Sequence, residues 1–336
     1  MRIALDAMGS DTHPGPEVEA AVEYTHLFGA DLFLIGDQPR IQELLGSQSA
    51  GIEIVHAPEV FEMSEHVSLS NLRRAQNSMG IGLDLVKDGK AEAFVTAGNT
   101  GGAMATALTR LGRLNGVQRP GLTVLFPSKG SRCVALDIGA NAECKPEYLL
   151  QFALMGSAYA EKVLGISKPR VGLLSNGEEA GKGNDLVKAT YPLLAASSLN
   201  FIGNLEGKEL FGGGADVVVT DGFTGNVLLK GTEAVAKLIT DRLREELSAS
   251  WRTKIGALLA RPAFRALRKD LDPREVGAAT LLGVNGLVFV AHGRSDARAM
   301  FSALTLARHS IEVELLNSLR GAIEKGLSQM AVKESD

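Results

Sequence analysis

A polar turn that follows a short apolar strand carries the residues best suited to chemistry. The run 217–219 is Val-Val-Val, which is typical of a strand buried on both faces. The turn 220–225, TDGFTG, comes next, and a helical pattern begins at Asn226. A strand, a glycine-rich turn and a helix start present free backbone N–H groups, which bind anions. The stretch 216–230 therefore predicts an anion-binding turn.

The same turn pattern occurs a second time in the chain. Residues 94–101, FVTAGNTG, match residues 218–225, VVTDGFTG, at Val, Thr, Gly, Thr and Gly, with a constant offset of 124 positions. Two interpretations remain open. Both stretches are ordinary β–α turns that need glycine, or both face one shared polyanionic or acyl ligand. The repetition favours the second interpretation.

Composition narrows the class of protein. The chain has 336 residues, 45% apolar and 22% charged, as soluble globular proteins do. No signal sequence or membrane span is recognisable, so we expect a cytoplasmic protein. Cys133 and Cys144 are the only cysteines, are expected to be reduced, and offer no metal-binding spacing. A net charge of −4 argues against general nucleic-acid binding.

Short apolar runs alternate with helical patterns along most of the chain, which predicts a mainly parallel sheet covered by helices on both faces. This is a three-layer α/β/α sandwich, and without a Pro- or Ser-rich linker we treat 1–336 as one domain. The expected strands are 2–5, 32–35, 52–55, 93–95, 122–126, 133–136, 171–174, 200–202, 217–219 and 287–290. The expected helices are 17–28, 72–87, 104–114, 146–164, 185–196, 227–247 and 297–319.

Ligands of such sheets gather beyond the carboxyl ends of the strands. The residues that follow the predicted strands are small, polar and rich in glycine, which suggests an extended groove. These segments are 6–11, 96–102, 137–141, 175–179, 221–226 and 292–293. The run 177–183, GEEAGKG, has the wrong spacing for a phosphate loop, and neither a GxGxxG nor a GxSxG motif is present.

One basic segment does not fit the core pattern. Residues 250–272 predict a helical hairpin that is interrupted at Pro262 and carries six basic and no acidic residues between 251 and 269. A basic amphipathic segment on an acidic protein is typical of docking on anionic lipid or on an acidic partner. The alternative is packing on the protein body or on a second subunit. The apolar face comprises Trp251, Ile255, Leu258 and Leu259, and then Phe264, Leu267 and Leu271.

Six separated motifs in order resemble the bacterial phosphate acyltransferases, which transfer an acyl group from acyl carrier protein (ACP) to inorganic phosphate. They are LDAMGSD (5–11), VTAGNTGGAM (95–104), LDIGAN (136–141), LLSNGEEAGKG (173–183), DGFTGNVLLK (221–230) and LLGVNG with HG (281–293). The resemblance implies a sandwich related to phosphotransacetylases and to isocitrate and isopropylmalate dehydrogenases. It also implies a homodimer at the membrane surface, no cofactor, and a downstream glycerol-3-phosphate acyltransferase.

The chain departs from the family pattern in three places. Ser10 stands where the family has a second glycine, and the histidine appears one position later, at His13. Either Arg73 or Arg74 matches the functional arginine of the family. The chain has Val290-Ala291-His292-Gly293 where the family has Lys-Ser-His-Gly, which removes one cation.

The implied reaction needs positioning and stabilisation of charge on the thioester oxygen more than a strong base. Lys182 is expected to lie near phosphate as a point charge, with a solvated loop lysine as the alternative. Asn226 is expected to act as a donor. Asp221 is expected to orient Lys182 or Asn226, with a plain turn aspartate as the alternative.

Further substrate contacts are expected from the polar loops. Glu178 and Glu179 would need pairing with Lys182, Arg73 or Arg74 to lie near phosphate, and at least one such pair is expected. Arg110, Arg113 and Arg119 form a second candidate site for acidic ACP. The expected substrate-binding residues are Asp6, Gly9, His13, Arg73, Arg74, Asn99, Thr100, Gly101, Asn141, Glu178, Gly222, Thr224, Gly225 and His292.

Two rival functions share parts of this pattern. A dehydrogenase of the isocitrate or isopropylmalate type would have the same fold class, but its metal carboxylates and nucleotide loop are not recognisable. A non-enzymatic scaffold at the membrane would use the basic hairpin and retain the loops without catalysis.

Overall fold

The structure is a computed structural model of the chain. It describes residues 1–61, 63, 65, 76–264 and 272–333. Arg73, Arg74 and Leu267, which the sequence singles out, lie outside these residues, as does most of the second half of the predicted hairpin.

The described residues form one eleven-stranded sheet. Its strands are β1 (Arg2–Asp6), β2 (Asp31–Gly36), β3 (Ile52–His56), β4 (Ala93–Thr96), β5 (Gly121–Ser128), β6 (Ser131–Leu136), β7 (Arg170–Leu174), β8 (Asn200–Leu205), β9 (Val217–Val219), β10 (Ala278–Leu282) and β11 (Leu287–Ala291). Their order across the sheet is β3-β2-β1-β4-β11-β10-β5-β6-β9-β7-β8.

Helices connect most of these strands. They are α1 (Gly15–Phe28), α2 (Gln38–Leu45), α3 (Ser78–Lys87), α4 (Thr100–Arg110), α5 (Pro146–Val163), α6 (Asp185–Ala196), α7 (Gly207–Gly212), α8 (Gly222–Ser248), α9 (Trp251–Leu259), α10 (Ala297–Glu312) and α11 (Leu315–Lys333). Residues 261–264 are helical as well, and Pro273–Glu275 is a 3₁₀ turn.

The two halves of the sheet run in opposite directions. Strands β1 to β4 and β11 are parallel to one another, and so are β6 to β9. Between the halves, β10 pairs antiparallel with both β11 and β5, and β5 pairs antiparallel with β6. Seven of the ten pairings are parallel, so the mainly parallel sheet is confirmed.

Alternating strand residues feed two apolar cores, one on each face of the sheet. Val217 and Val219 belong to one core and Val218 to the other. The first core includes side chains of α1, α5, α10 and α11, whereas the second includes side chains of α3, α4 and α7. Because successive strand side chains point to opposite faces, an all-apolar strand must be covered on both. The three-layer sandwich is thereby confirmed.

Some predicted elements differ from the structure. The strand β10 and the helices α2 and α7 were not predicted from the pattern; β10 reads AATLL, and alanine is a weak strand former. The predicted helix 297–319 is wrong, because α10 and α11 are separated at residues 313–314. Glu314 has a φ of 52°, which closes α10. The apolar pattern continues across this break, because Leu315 and Leu319 are buried, so the pattern does not indicate where α10 ends.

The long helix α8 leaves the body of the protein. It has 27 residues, and of these only Gly222 and Gly225 are buried. The following helix α9 packs on α8 and has no buried residue. Within the described residues, no helix has the length and apolar character needed to cross a bilayer.

We expect Gly225→Ala to destabilise the protein, because a Cβ at Gly225 would lie 1.9 Å from the carbonyl oxygen of Asp137. Such overpacking typically costs about 1–3 kcal/mol of unfolding free energy, which thermal and denaturant unfolding will show. The matched control is Gly231→Ala on the same helix, where a Cβ meets no atom within 4 Å of the described structure. Equal stability of the two variants would contradict this close packing.

Candidate active site

A buried carboxylate, Asp6, organises the loops at the end of β1 and β4. Its Oδ2 accepts a hydrogen bond from the Thr96 hydroxyl at 2.7 Å, and its Oδ1 accepts one from the backbone N–H of Met8 at 3.0 Å. The Thr96 hydroxyl in turn accepts from the N–H of Gly98 at 2.9 Å. Burial raises the pKa of Asp6 above its ordinary value. Both oxygens of the Asp6 carboxylate therefore accept hydrogen bonds that shape the loops.

A second buried carboxylate, Glu17, lies under the loop that follows β1. Its Oε1 accepts from the N–H of Ser10 at 3.0 Å, and burial raises its pKa to about 7. The next residue in this loop, Asp11, donates its N–H to the carbonyl of Gly293 at 2.7 Å, which ties the β1 loop to the β11 loop. His13 Nδ1 lies 2.7 Å from the carbonyl of Ser10. Three predicted segments thus meet at one edge of the sheet.

The side chain of Asn99 makes hydrogen bonds that hold its own loop. Its Oδ1 accepts from the N–H of Gly102 at 2.9 Å, so Asn99 caps α4, and its Nδ2 donates to the carbonyl of Met63 at 2.8 Å. Among the described residues, the N–H groups of Thr100 and Gly101 have no acceptor. These two N–H groups, at the positive end of α4, are the donors that this loop offers to a ligand.

Asp137 plays the equivalent part at the end of β6. Its carboxylate accepts five hydrogen bonds, and burial raises its pKa. The donors are the backbone N–H groups of Leu122, Gly139, Ala140 and Asn141, and the side-chain amide of Asn141. The carbonyl of Asn141 accepts from the N–H of Gly222 at 2.8 Å, so this loop also holds the start of α8.

Asp221 caps α8. Its Oδ1 accepts from the N–H of Thr224 and its Oδ2 from the Thr224 hydroxyl, both at 2.8 Å. It contacts Thr224 rather than Lys182 or Asn226, so the predicted direct orienting contact is wrong and the turn-aspartate alternative applies. Asn226 is exposed above the loop that contains Gly139. Its side chain has no hydrogen-bond partner among the described residues, which leaves the amide available to a ligand.

Lys182 lies in an exposed turn after β7, where its backbone N–H donates to the carbonyl of Glu179. In the described part of the chain, its ammonium group has no ion-pair partner. Glu178 pairs with Lys208 at 2.8 Å rather than with Lys182. The alternative pairing with Arg73 or Arg74 lies outside the described residues. Lys208 comes from the start of α7, which the sequence pattern did not predict.

The acidic cluster around Lys208 is the one group of described residues with metal-ligand proximity. Glu178, Glu206 and Glu209 bring oxygen atoms within 4.8 Å of one another. The Lys208 ammonium lies 2.8, 3.1 and 3.5 Å from these three carboxylates. A cation already occupies their centre, so the cluster fits a salt-bridge network better than a metal.

The two loop pairs follow strands that are paired in the same register. Leu5 is in register with Val95 on β1 and β4, and Leu136 is in register with Val219 on β6 and β9. Each pair is continued by an aspartate on one strand, Asp6 or Asp137, and a threonine on the other. The repeated turn at 94–101 and 218–225 is therefore part of a larger repeat in which a Leu-Asp strand end supports a Thr-containing turn.

Helix α8 starts at the second loop group and carries a charge, on Lys230, that acts on His292 in the first. Adjacent strands rotate by roughly 20–25°, so the sheet turns by about 110° between β4 and β9. This rotation partly offsets the opposite strand directions. Burial lowers the pKa of His292, and the positive charges of Lys230 on α8 and Arg294 lower it further. The helix that starts at the second loop group thus reaches the first.

Comparisons with known proteins show the family of the chain. A family model described as "Fatty acid synthesis protein" matches residues 1–317. A phosphate acyltransferase of Pelotomaculum thermopropionicum is 46% identical over 342 residues, covering 100% of both chains. The chain belongs to the phosphate acyltransferase family. A relative of the same name from Myxococcus xanthus is 46% identical over 94% of this chain and 92% of its own.

Solved structures confirm the fold. A phosphotransacetylase from Streptococcus pyogenes has a TM-score of 0.59 at 15% identity, covering 96% of this chain and 94% of its own. A 4-hydroxythreonine-4-phosphate dehydrogenase from Klebsiella pneumoniae has a TM-score of 0.53 at 13% identity, covering 92% and 98%. The sandwich is thus shared by acyltransferases and dehydrogenases, and family membership places the chain with the acyltransferases.

Several residues that organise the site were missed by sequence reasoning. Asp137 lies in the motif LDIGAN and Thr96 in the motif VTAGNTGGAM, but only the strand register shows that these two residues support the turns. Comparing LD at 5–6 with LD at 136–137 would have found the larger repeat. Glu17 and Lys208 carried no local signal, because each acts on a loop other than its own.

The raised pKa of Glu17 predicts a pH-dependent stability. A carboxyl with a folded pKa of about 7 and an ordinary value of 4.5 stabilises the fold below pH 4.5 and loses this contribution as pH rises to about 7. The unfolding free energy should therefore fall by about 1.4 kcal/mol per pH unit in that window. The difference in unfolding free energy between the natural chain and Glu17→Gln isolates this slope, and a difference independent of pH would contradict it.

Proposed function

We propose that the protein transfers a fatty acyl group from acyl-ACP to inorganic phosphate, giving acyl phosphate for phospholipid synthesis. The single observation that carries this proposal is the 46% identity over the full length of a phosphate acyltransferase. The loops add a physical basis. Unpaired N–H groups at the start of α4, and a lysine without an ion-pair partner among the described residues, suit a phosphate and a thioester oxygen.

The proposed reaction is a direct attack of phosphate on the thioester. A phosphate oxygen forms a bond to the thioester carbon, the C–S bond breaks, and the electron pair leaves on the ACP thiolate. An acyl-enzyme on cysteine has no support, since burial raises the pKa of Cys133 to about 12 and that of Cys144 to about 11. Both thiols stay protonated at neutral pH, and the thiolate is the nucleophilic form.

The free groups of the site suggest the roles of individual residues. Lys182 supplies a positive charge to phosphate, and Asn226 donates from its amide to the thioester oxygen. Thr100 and Gly101 donate backbone N–H groups from the start of α4. Asp221 acts as a positioning residue, because its bonds to Thr224 fix the start of α8 and hence the position of Asn226.

Acidic ACP requires a basic docking surface. Two members of the predicted arginine cluster are already engaged: Arg110 pairs with Asp84 at 3.1 Å, and Arg113 donates to the carbonyl of Gln118 at 2.6 Å. Arg119 is exposed, and its side chain has no partner among the described residues. Because acyl phosphate is a reactive mixed anhydride, we further propose that a glycerol-3-phosphate acyltransferase consumes it.

Release of ACP thiol from acyl-ACP tests the reaction, and we expect it to depend on added phosphate. In the same assay Lys182→Ala and Asn226→Ala should each lower turnover by about 10²–10³, the usual effect of removing one such donor. Lys188→Ala is the matched control, because Lys188 is exposed on the neighbouring helix α6 and should leave turnover unchanged.

Two results would overturn this assignment. Thiol release that does not need phosphate, or no release at all, contradicts the phosphate transfer and favours a scaffold. Near-normal turnover by both folded variants leaves the reaction in place and refutes the roles of Lys182 and Asn226.

We also propose that the predicted hairpin docks on an anionic membrane surface. Trp251, Leu258 and Leu259 are 68%, 65% and 77% exposed on α9. Arg252 and Lys254 lie on the same helix, and the Arg252 guanidinium lies 5.4 Å from the Trp251 ring centre. Exposed apolar side chains beside cations suit the boundary between lipid headgroups and acyl chains. Ile255 and Phe264 extend this surface.

A second copy of the chain is the proposed partner for α8. Val235, Leu238 and Ile239 are each more than half exposed and lie at helical spacing. An apolar stripe of this kind, on a helix that leaves the body, suits a homodimer. The mass of the particle in solution tests this, and a monomer at micromolar concentration would refute it.

We expect Leu258→Glu to abolish sedimentation with anionic liposomes, because it places a negative charge where an apolar side chain enters the lipid boundary. Activity on soluble acyl-ACP should persist. Leu44→Glu is the control, since Leu44 is 53% exposed on α2 and should leave sedimentation unchanged. Persistent liposome binding with lost activity would instead make the hairpin an ACP- or acyl-binding element.

A further inference from the structure

The loop that carries Lys182 runs over residues 176–183, after β7, and most of its residues are exposed. A loop of this kind has few buried apolar contacts to fix its shape. The ion pair of Glu178 with Lys208 reaches it, but both side chains are exposed and such pairs contribute little. The position of Lys182 therefore depends on hydrogen bonds and on close packing of the backbone.

The side chain of Asn204 connects this loop to the sheet. Asn204 lies on β8 and is only 6% exposed, and its Nδ2 donates to the carbonyl of Glu179 at 2.9 Å. The same carbonyl accepts from the backbone N–H of Lys182, also at 2.9 Å. One carbonyl group thus joins a buried strand residue to the residue whose charge we assign to phosphate.

A second hydrogen bond closes the two ends of the loop. The Oδ1 of Asn176 accepts from the backbone N–H of Gly183 at 3.0 Å. Gly183 has a φ of 99°, and a Cβ there would lie 2.5 Å from Cγ1 of Val187. Glycine adopts this conformation without strain, whereas other residues rarely do. The closure therefore fixes the residue that directly follows Lys182.

The side chain of Lys182 packs against Gly177. Gly177 is buried, and a Cβ at this position would lie 2.9 Å from Cγ of Lys182 and 3.0 Å from Oε2 of Glu179. Because glycine has no side chain, the stem of Lys182 lies directly against the backbone of the loop. Both the backbone of Lys182 and the start of its side chain are thereby held.

Two features of β8 indicate that Asn204 serves the position of the loop more than stability. Val171 of β7 pairs with Phe201, but the next residue of β7 pairs with Gly203, so β8 has one extra residue just before Asn204. Such insertions re-aim side chains and are frequent beside active sites. The Oδ1 of Asn204 is buried and has no hydrogen-bond partner among the described residues. An apolar side chain would avoid that cost.

We propose that Asn204 is a positioning residue for Lys182. It contacts neither phosphate nor the thioester, and it acts by fixing the carbonyl that holds the Lys182 backbone. A charged group assists a reaction only where it is placed correctly, and a displacement of about 1 Å can slow a reaction by about 10²-fold. This role rests on the proposed acyl transfer, because Lys182 serves phosphate only in that reaction.

Phosphate-dependent release of ACP thiol tests this role in a double-mutant cycle. We expect Asn204→Ala to lower kcat/KM for phosphate about tenfold, the factor that corresponds to one neutral hydrogen bond, with the KM for acyl-ACP unchanged. Because Asn204 acts through Lys182, the two effects should not add. Lys182→Ala combined with Asn204→Ala should match Lys182→Ala alone within about twofold.

Asn200→Ala is the matched control. Asn200 lies at the opposite end of β8, and its side-chain amide also donates to a backbone carbonyl, that of Lys168, at 3.1 Å. This variant should leave kcat/KM for phosphate unchanged. Asn204→Leu removes the donor but keeps the side-chain volume, so it should show the same loss as Asn204→Ala if the hydrogen bond is what matters.

Hydrogen exchange gives a readout that does not depend on turnover. In Asn204→Ala and Asn204→Leu, the backbone N–H groups of Lys182 and Gly183 should exchange about tenfold faster than in the natural chain, because their loop has lost its link to β8. In Asn200→Ala, they should exchange as in the natural chain.

Contrary results are distinguishable. Equal kcat/KM of Asn204→Ala and the natural chain overturns the role, and so does a further tenfold loss in the double variant, which would make Asn204 a structural residue independent of Lys182. Unchanged hydrogen exchange would show that the bond does not hold the loop. Thiol release that needs no phosphate refutes the proposed function and the catalytic part of this role, whereas the exchange rates still decide whether Asn204 positions Lys182.

Discussion

Two buried carboxylates at strand ends hold the loops of the candidate site in place. Asp6 joins the end of β1 to Thr96 on β4, and Asp137 gathers five donors from the loop after β6 and from β5. A buried carboxylate is costly unless donors surround it, and here those donors are the backbone N–H groups of the loops themselves. The same bonds that satisfy each carboxylate therefore fix the shape of the loop.

This rigidity divides the polar residues of the loops into two groups. The side chains of Asn99 and Asp221 cap α4 and α8. At the start of α4, the N–H groups of Thr100 and Gly101 then have no acceptor among the described residues. Lys182 and Asn226 have no internal partner among the described residues, so their charge and amide remain for a ligand. Preorganised donors of this kind lower a barrier because they need no rearrangement as charge develops.

The sequence predicted the elements whose signals are local. All ten expected strands are present, since apolar β-branched runs flanked by glycine mark buried strands. It missed the antiparallel strand β10, whose small residues carry weak propensity, and it merged α10 with α11 because buried leucines continue across the break. In the site, it named Asn99 and Asp221 for their position after a strand, but a capping residue and a ligand-binding residue look the same in a linear pattern. The Glu178–Lys208 pair could not be predicted from the sequence, because Lys208 belongs to an unpredicted helix.

The sequence by itself determined the fold class, the repeated turn and the family, because each depends on residue types at short spacing or on motifs in order. Only the tertiary structure decided that the two halves of the sheet run in opposite directions and that Asp6 and Asp137 occupy equivalent registers. Those features depend on which strands pair and on contacts such as Asp6 with Thr96, 90 positions apart. Strand order and long-range contacts follow from packing of the whole chain, and no local pattern of side chains encodes them.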